Sequence, residues 1–213
     1  MFPQDYDFFP ETYVMPMDYE TFKAQFPKTG KQPTFIVKPQ ASSQGRGIFL
    51  TQTWKNVPNS HRYVVQRYIT NPYLLDELKF DLRIYVLVTS VDPLKIFLFK
   101  DGLARFATEK YKDAGPDNIN NMFMHLTNYA INKNSSNFVF NNDEKDSSTG
   151  HKRSIKALFK TLQERGRDTK KLWIDIKRIV IKTFCSVQAT LSQNYKATFP
   201  KKAGNKAAFQ VFG

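Results

Sequence analysis

Lys79, Asp81 and Arg83 stand at alternate positions of the run Lys79-Phe80-Asp81-Leu82-Arg83-Ile84-Tyr85. Side chains alternate between the two faces of a strand, so these three charges share one face, and Phe80, Leu82 and Ile84 share the other. Cations in such a row suit the negative groups of an anionic, metal-bearing ligand, and the carboxylate between them would hold the cations apart and orient them. The same row also suits a solvated sheet face crossed by ion pairs between strands. Two further basic residues point the same way. Lys38 closes the apolar run Thr34-Phe35-Ile36-Val37-Lys38, and Arg46 lies in the small-residue loop Ala41-Ser42-Ser43-Gln44-Gly45-Arg46-Gly47. Glycines let backbone approach a ligand closely, and consecutive N–H groups form a nest for anions. The loop is not of the Walker type: it lacks Gly-Lys-Ser/Thr, and the strand-like Ile48-Phe49-Leu50 follows it instead of a helix. An ordinary flexible hairpin is its plain alternative. Arg105, inside the apolar run Leu103-Ala104-Arg105-Phe106, has to meet a carboxylate or phosphate, because an unpaired buried guanidinium is very costly.

These residues need strands to carry them. Strand signals cover residues 34–38, 48–50, 63–69, 82–88, 94–99 and 103–106, with turns at Asn71-Pro72, at Ser90-Val91-Asp92-Pro93 and at Asp101-Gly102. The near-continuous apolar character of this antiparallel meander predicts cover on both faces. Residues 1–17, rich in aromatics and proline, read as an extended lead-in. Asp18 is a candidate N-cap for a short helix with Tyr19, Phe22 and Phe26 on one face, stopped by Pro27. His125 reads as a hydrogen-bonded structural residue. Residues 134–150 read as a polar surface loop, ending in the basic cluster His151-Lys152-Arg153, a solvated helix start. Ile155, Leu158, Phe159 and Leu162 give an amphipathic helix ending near Gly166. Trp173, Ile176, Val180, Phe184, Val187 and Leu191 continue at helical spacing, with Cys185 as packing. Phe209-Gln210-Val211-Phe212-Gly213 reads as a strand just beginning, on a chain that stops early.

At 213 residues with 41% hydrophobic and 15% aromatic composition, the chain can bury a core and is not disordered by default. A single cysteine excludes an internal disulfide and fits a reducing compartment. No apolar run reaches the ~20 residues needed to cross a bilayer, and the N-terminus lacks a signal-peptide pattern; the expectation is a cytosolic monomer without a membrane partner. The net charge of +13 predicts an anionic partner. A basic nucleic-acid binder would interleave exposed aromatics with Lys and Arg. Most aromatics here sit in apolar strand runs, which counts against it.

Six motifs stand in one order: Ile36-Val37-Lys38-Pro39, Gln44-Gly45-Arg46-Gly47-Ile48, Val65-Gln66-Arg67-Tyr68-Ile69, Lys79-Phe80-Asp81-Leu82-Arg83, Gly102-Leu103-Ala104-Arg105-Phe106-Ala107-Thr108 and His125-Leu126-Thr127-Asn128-Tyr129. That order resembles the tubulin–tyrosine ligase-like family, its polyglutamylase branch more than tyrosine ligase itself. The resemblance covers roughly residues 9–155 and the terminal Phe212-Gly213. It implies an α+β, ATP-grasp-like fold of antiparallel sheet lobes with packed helices, incomplete at the C-terminus. Its parts would be a lead-in (1–30), a glycine-loop lobe (31–70) and the sheet and helices of a second lobe (71–213). It implies an ATP-dependent ligase that activates a carboxylate as an acyl phosphate and adds free glutamate to acidic tubulin tails, in the cytoplasm on the cytoskeleton or cilium.

By the same resemblance, Lys38 and Gln44, Gly45, Arg46 and Gly47 hold ATP phosphates, and Gln66, Arg67, Tyr68 and Ile69 line the adenine pocket. Lys79, Phe80 and Asp81 contact nucleotide, as do Thr127 and Asn128. Arg83 and Arg105 are the catalytic cations, with Arg105 also meeting substrate, and Tyr129 and Lys152 face the incoming amino acid. Family members continue past Phe-Gly into a Leu-Glu-Val-Asn-type motif that carries Mg²⁺ ligands. The expectation is therefore no metal ligand before Gly213 and little catalysis by these 213 residues alone, with a non-catalytic nucleotide- or microtubule-binding remnant as the competing reading.

Overall fold

The computed structural model of the chain describes residues 3–59, 62–141, 149–199 and 209–213. The fold is α+β, with antiparallel sheets, as the sequence predicts. In chain order the elements are β1 (Thr12–Val14), α1 (Tyr19–Lys23), β2 (Phe35–Pro39), β3 (Phe49–Thr51), β4 (Tyr63–Arg67), β5 (Leu74–Leu75), β6 (Leu78–Val91), β7 (Leu94–Phe106), α2 (Met122–His125), α3 (Tyr129–Asn132), β8 (Lys152–Ser154), α4 (Ile155–Glu164), α5 (Thr169–Thr198) and β9 (Gln210–Phe212). One sheet runs β1-β4-β2-β3. Another runs β5-β6-β7-β8, with β9 paired to β6. The chain forms two compact units, residues 1–81 with 105–140, and residues 82–104 with 141–213.

In the first unit the four-stranded sheet is pinned by antiparallel register, Ile36 opposite Gln66 and Lys38 opposite Val64. Its core is aromatic. Phe22, Phe35, Tyr13, Met15, Val37 and Val65 are all buried, with Phe22 and Phe35 edge to face at 5.1 Å between ring centres. Edge-to-face rings of this kind add about 1 kcal/mol beyond the area they bury. Asp18 precedes α1 as predicted, but its side chain does not cap the helix; Asp18 Oδ2 accepts from Val14 N–H at 2.7 Å instead, tying α1 back to β1.

In the second unit α5 lays Val180, Phe184 and Leu191 against Ile84, Val86, Val88, Leu94, Ile96 and Leu98. Ser154 caps α4 by accepting from Ala157 N–H at 3.0 Å, and Gly166, with φ +74°, ends the turn after it. Asp168 caps α5 through Lys171 N–H at 2.9 Å. The strand predicted at the C-terminus exists as β9, with Phe212 opposite Val86. Among the described residues no helix is long and apolar enough to cross a membrane.

Four further expectations fail here for identifiable reasons. Asp101-Gly102 is not a hairpin turn: both residues lie inside the continuous strand β7. Glycine is needed at 102 because a Cβ there would lie 2.3 Å from the carbonyl oxygen of Arg83, so the position marks a close backbone approach, which glycine also serves. The meander is not covered on both faces, since Phe97 and Phe99 are 56% and 61% exposed while Leu94, Ile96 and Leu98 take the packed face. Cys185 is exposed, one position past the buried Phe184 on the helix. The basic cluster around Lys152 forms the strand β8, and the helix begins only at Ile155. Of the predicted surface loop 134–150, residues 142–148 lie outside the described residues.

The close approach at Gly102 has a measurable consequence. Gly102→Ala should destabilise the chain by roughly 2 kcal/mol or more through overpacking against backbone. Gly115→Ala, where a Cβ meets nothing within 4 Å, is the control. Urea unfolding midpoints compare the two; equal midpoints would show that β6 and β7 can spread to admit a methyl group.

Candidate functional site

The first unit gathers most of the residues singled out in the sequence. Lys38, at the end of β2, is half-buried, and its Nζ donates to Gln66 Oε1 at 2.9 Å. Gln66 is fixed in turn, its Nε2 donating to Thr12 Oγ1 at 2.9 Å. Lys79, at the start of β6, is also half-buried, and its Nζ donates to the Tyr68 hydroxyl and to the main-chain oxygen of His125, both at 2.8 Å. Both ammonium groups thus rest on neutral oxygens. Burial pulls Lys79 down to about 8; Asp81 opposes the fall and the nearby Lys38 charge adds to it. Burial lowers Lys38 as well. Two ammoniums close enough to feel each other, withdrawn from water and resting on dipoles, form an electrostatic well for an anion.

Asp81 and Arg105 answer one another. Arg105 Nε donates to Asp81 Oδ1 at 2.8 Å and Nη2 donates to Asp81 Oδ2, a two-pronged pair across neighbouring strands. Arg105, half-buried, therefore meets the carboxylate that its place in an apolar run called for. Phe80 points away from this row, its ring 5.3 Å from that of the buried Phe106. Arg67 stacks its guanidinium over the Phe35 ring at 4.6 Å and pairs with Glu11 at 3.1 Å, so its side chain is committed to the fold. Tyr68 is buried and Ile69 is exposed just past the end of β4.

The glycine loop keeps the shape its composition suggests. Gln44, Gly45 and Gly47 all have positive φ, at 62°, 85° and 68°. A Cβ on Gly45 would stand 2.6 Å from Ile131 Cδ1 and 3.1 Å from Asn128 Cγ. The loop backbone is therefore pressed against the Thr127-Asn128 segment, and Arg46, beside it, is exposed. That segment is held by a residue the sequence reading missed. Asn132 is buried; its Oδ1 accepts from Thr108 N–H and Thr108 Oγ1, both at 3.0 Å, and its Nδ2 donates to Leu126 O at 2.7 Å. Its spacing of four from Asn128, one helical turn, was the available signal. Tyr129 is 40% exposed, its ring edge to face with Phe138 and Phe140 at 5.8 and 6.2 Å.

Arg83 and Lys152 belong to the second unit, with Lys152 exposed at the start of β8. Among the described residues no three His, Cys, Asp or Glu side chains cluster so as to hold a metal ion.

A model of the Tubulin-tyrosine ligase family matches residues 1–213, and the chain belongs to that family. It is 52% identical over 213 residues to the "Probable beta-tubulin polyglutamylase" of Tetrahymena thermophila. It is 43% identical over 213 residues to "Tubulin polyglutamylase ttll6" of Danio rerio, and 40% identical over 223 residues to "Tubulin polyglutamylase TTLL11" of Homo sapiens. All of this chain is covered in each case, but only 18%, 27% and 31% of those relatives. The chain thus spans less than a third of the curated relatives it matches.

The depressed Lys79 fixes a sign for pH dependence. Below about pH 8 the group is charged in both folded and unfolded chains, and the cost of its burial is fully present. Between about 8 and the ordinary lysine value of 10.5 the unfolded chain holds a proton that the folded chain has released, so this group's contribution to stability rises with pH. Lys79→Met should accordingly lose stability relative to the unaltered chain as pH climbs through that window. Denaturant titrations at several pH values check it; a pH-independent difference would mean that Lys79 titrates normally.

Proposed function

We propose that this chain supplies the ATP-gripping part of a ligase that joins glutamate, through an acyl phosphate, to glutamate side chains of tubulin tails. The carrying observation is the pair of half-buried ammoniums, Lys38 and Lys79, held on neutral oxygens in the same unit as the positive-φ glycine loop. A triphosphate supplies the negative charge these groups lack, so the residues present fit ATP. Gln44, Gly45 and Gly47 would offer backbone N–H groups to phosphate oxygens, and Arg46, whose own N–H donates to Ser43 O at 3.1 Å, its exposed guanidinium. Gln66 and Arg67 at the end of β4 and Tyr68 and Ile69 just past it would line the adenine pocket, partly through main-chain atoms, and Thr127 and Asn128 offer polar groups beside the loop. Tyr129 presents an exposed phenol to the amino acid.

The reaction balances as two transfers. A tail carboxylate takes the γ-phosphoryl group and ADP leaves. The amine of free glutamate then attacks the acyl carbon, phosphate departs, the amine gives up a proton and an amide remains. Arg105, oriented by Asp81, offsets negative charge as it develops, the form of stabilisation that dominates such transfers. For Arg83 and Lys152 the reading rests on the resemblance alone. Mg²⁺ supplies bridging charge in phosphoryl transfer. Among the described residues no cluster of three or more His, Cys, Asp or Glu side chains fits it. The net charge of +13 favours encounter with an acidic tail and a place on the cytoskeleton. The names of the relatives point to the same substrate.

Two measurements test this reading. ATP at about 100 times its Kd should add roughly 2.7 kcal/mol to stability, and Lys38→Ala and Lys79→Ala should each weaken that protection at least about tenfold in Kd. With this chain substituted for the matching segment of a longer relative, a tail peptide bearing ¹⁸O in its side-chain carboxylates should deliver ¹⁸O to released phosphate. No protection by ATP removes the nucleotide site, and unlabelled phosphate removes the acyl-phosphate step.

A further inference from the structure

His125 is 1% exposed, yet both of its ring nitrogens and its main-chain oxygen are engaged. Nε2 faces two oxygens of Asn118, the carbonyl at 3.1 Å and Oδ1 at 3.3 Å. Carbonyl oxygens only accept, so Nε2 carries the proton and Nδ1 is bare. The Tyr68 hydroxyl has two acceptors in reach, Nδ1 at 3.2 Å and the His125 carbonyl at 3.4 Å; the carbonyl already takes a Lys79 proton, so the nearer Nδ1 is the better acceptor for the Tyr68 proton. Tyr68 has thereby spent its proton, and its oxygen is left to accept from Lys79 Nζ at 2.8 Å. The His125 carbonyl takes a second Lys79 proton at 2.8 Å. An ammonium has three protons. Two are fixed by this arrangement, and the third has no hydrogen-bond partner among the described residues.

We propose that His125 is a positioning residue for the phosphate-binding lysine: a one-way chain of hydrogen bonds, Lys79 to Tyr68 to His125 to Asn118, keeps Tyr68 an acceptor and aims the ammonium. The inference rests on the reading of Lys79 as a nucleotide contact, and it gives that contact its regulation. Burial lowers His125 below the usual histidine range, the Asn118 carbonyl opposes the shift and the Lys79 charge adds to it, so the neutral ring is the working form. Burial raises Tyr68 well above the usual phenol range, which keeps its proton available to Nδ1. The charged and titratable groups facing Lys79 are Asp81 on its own strand, Lys38 on β2, Tyr68 past β4 and His125 at the end of α2; Tyr111 acts on it through Tyr68. The Tyr111 hydroxyl is itself committed to Thr70 O at 2.8 Å, and its ring packs edge to face with His125.

The test reads Lys79 itself, in ligand-free chain, by the pH dependence of its amine acylation followed by mass spectrometry. His125→Phe keeps the ring shape but frees the Tyr68 hydroxyl to turn its proton toward Lys79. The midpoint of Lys79 should fall by about one pH unit, the worth of one hydrogen bond to a charged group. His125→Asn, which can return an acceptor near the Nδ1 position, should restore most of it. Tyr68→Phe should lower the midpoint similarly, and adding His125→Phe to it should change nothing more. An unmoved midpoint in His125→Phe, or additive effects in the double variant, overturns the proposal. If His125→Phe does not fold, equal midpoints in Tyr68→Phe and unaltered chain overturn it as well. ATP protection, measured in parallel, keeps the two ideas apart: its absence in the unaltered chain sinks the nucleotide site, while the amine titration still decides the role of His125.

Discussion

A lysine ammonium taken out of water and set on neutral oxygens is the constraint on which the first unit depends. Without a carboxylate of its own at bonding distance, Lys79 keeps its charge only at a cost, which its lowered proton affinity records. A surface ion pair would have avoided that cost and contributed little. Two groups hold the ammonium, the Tyr68 hydroxyl just past the end of β4 and the carbonyl of His125 at the end of α2. The sheet register and the short helices of the unit therefore have to agree for one nitrogen to be placed.

Around that nitrogen the other charges are arranged so as not to cancel it. Asp81 neighbours Lys79 on the same strand face, yet both of its oxygens are taken by Arg105. Lys38 is steadied by Gln66, whose amide nitrogen donates to Thr12 and thereby ties β2 and β4 to β1. Asn132 joins Thr108, at the exit of β7, to the segment on which the glycine loop rests. Each device uses an amide or a pair of opposite charges, so the well remains positive without any lone charge left unsupported.

The face shared by Lys79 and Asp81 was legible because strand alternation alone puts them together, and most strands and helices were legible from apolar runs. Partners were not. Alternation names a face but cannot say that Asp81 belongs to Arg105, since that pairing depends on the register of β6 against β7. Asp101-Gly102 misled because the same dipeptide serves a tight turn and a close approach between backbones, and only the Arg83 carbonyl distinguishes them. Cys185 misled because it follows the buried Phe184, and helical spacing fixes a stripe only to within about one residue. His125 read correctly as a satisfied histidine, but what it satisfies lies 46 and 57 positions away in the chain, at Lys79 and Tyr68.

The first unit is interrupted in sequence: residues 82–104 leave it and residues 105–140 return to complete it. A ribosome that has reached only residue 81 has made Lys79 but neither the His125 carbonyl nor the Arg105 guanidinium. Its ammonium must stay hydrated until the returning segment emerges, for domains close as their last strand becomes available and long loops delay that closure. The bonds that hold this ammonium are thus made late in synthesis. Nascent chains that have not yet reached residue 140 lack part of the first unit, and with it partners of the sheet.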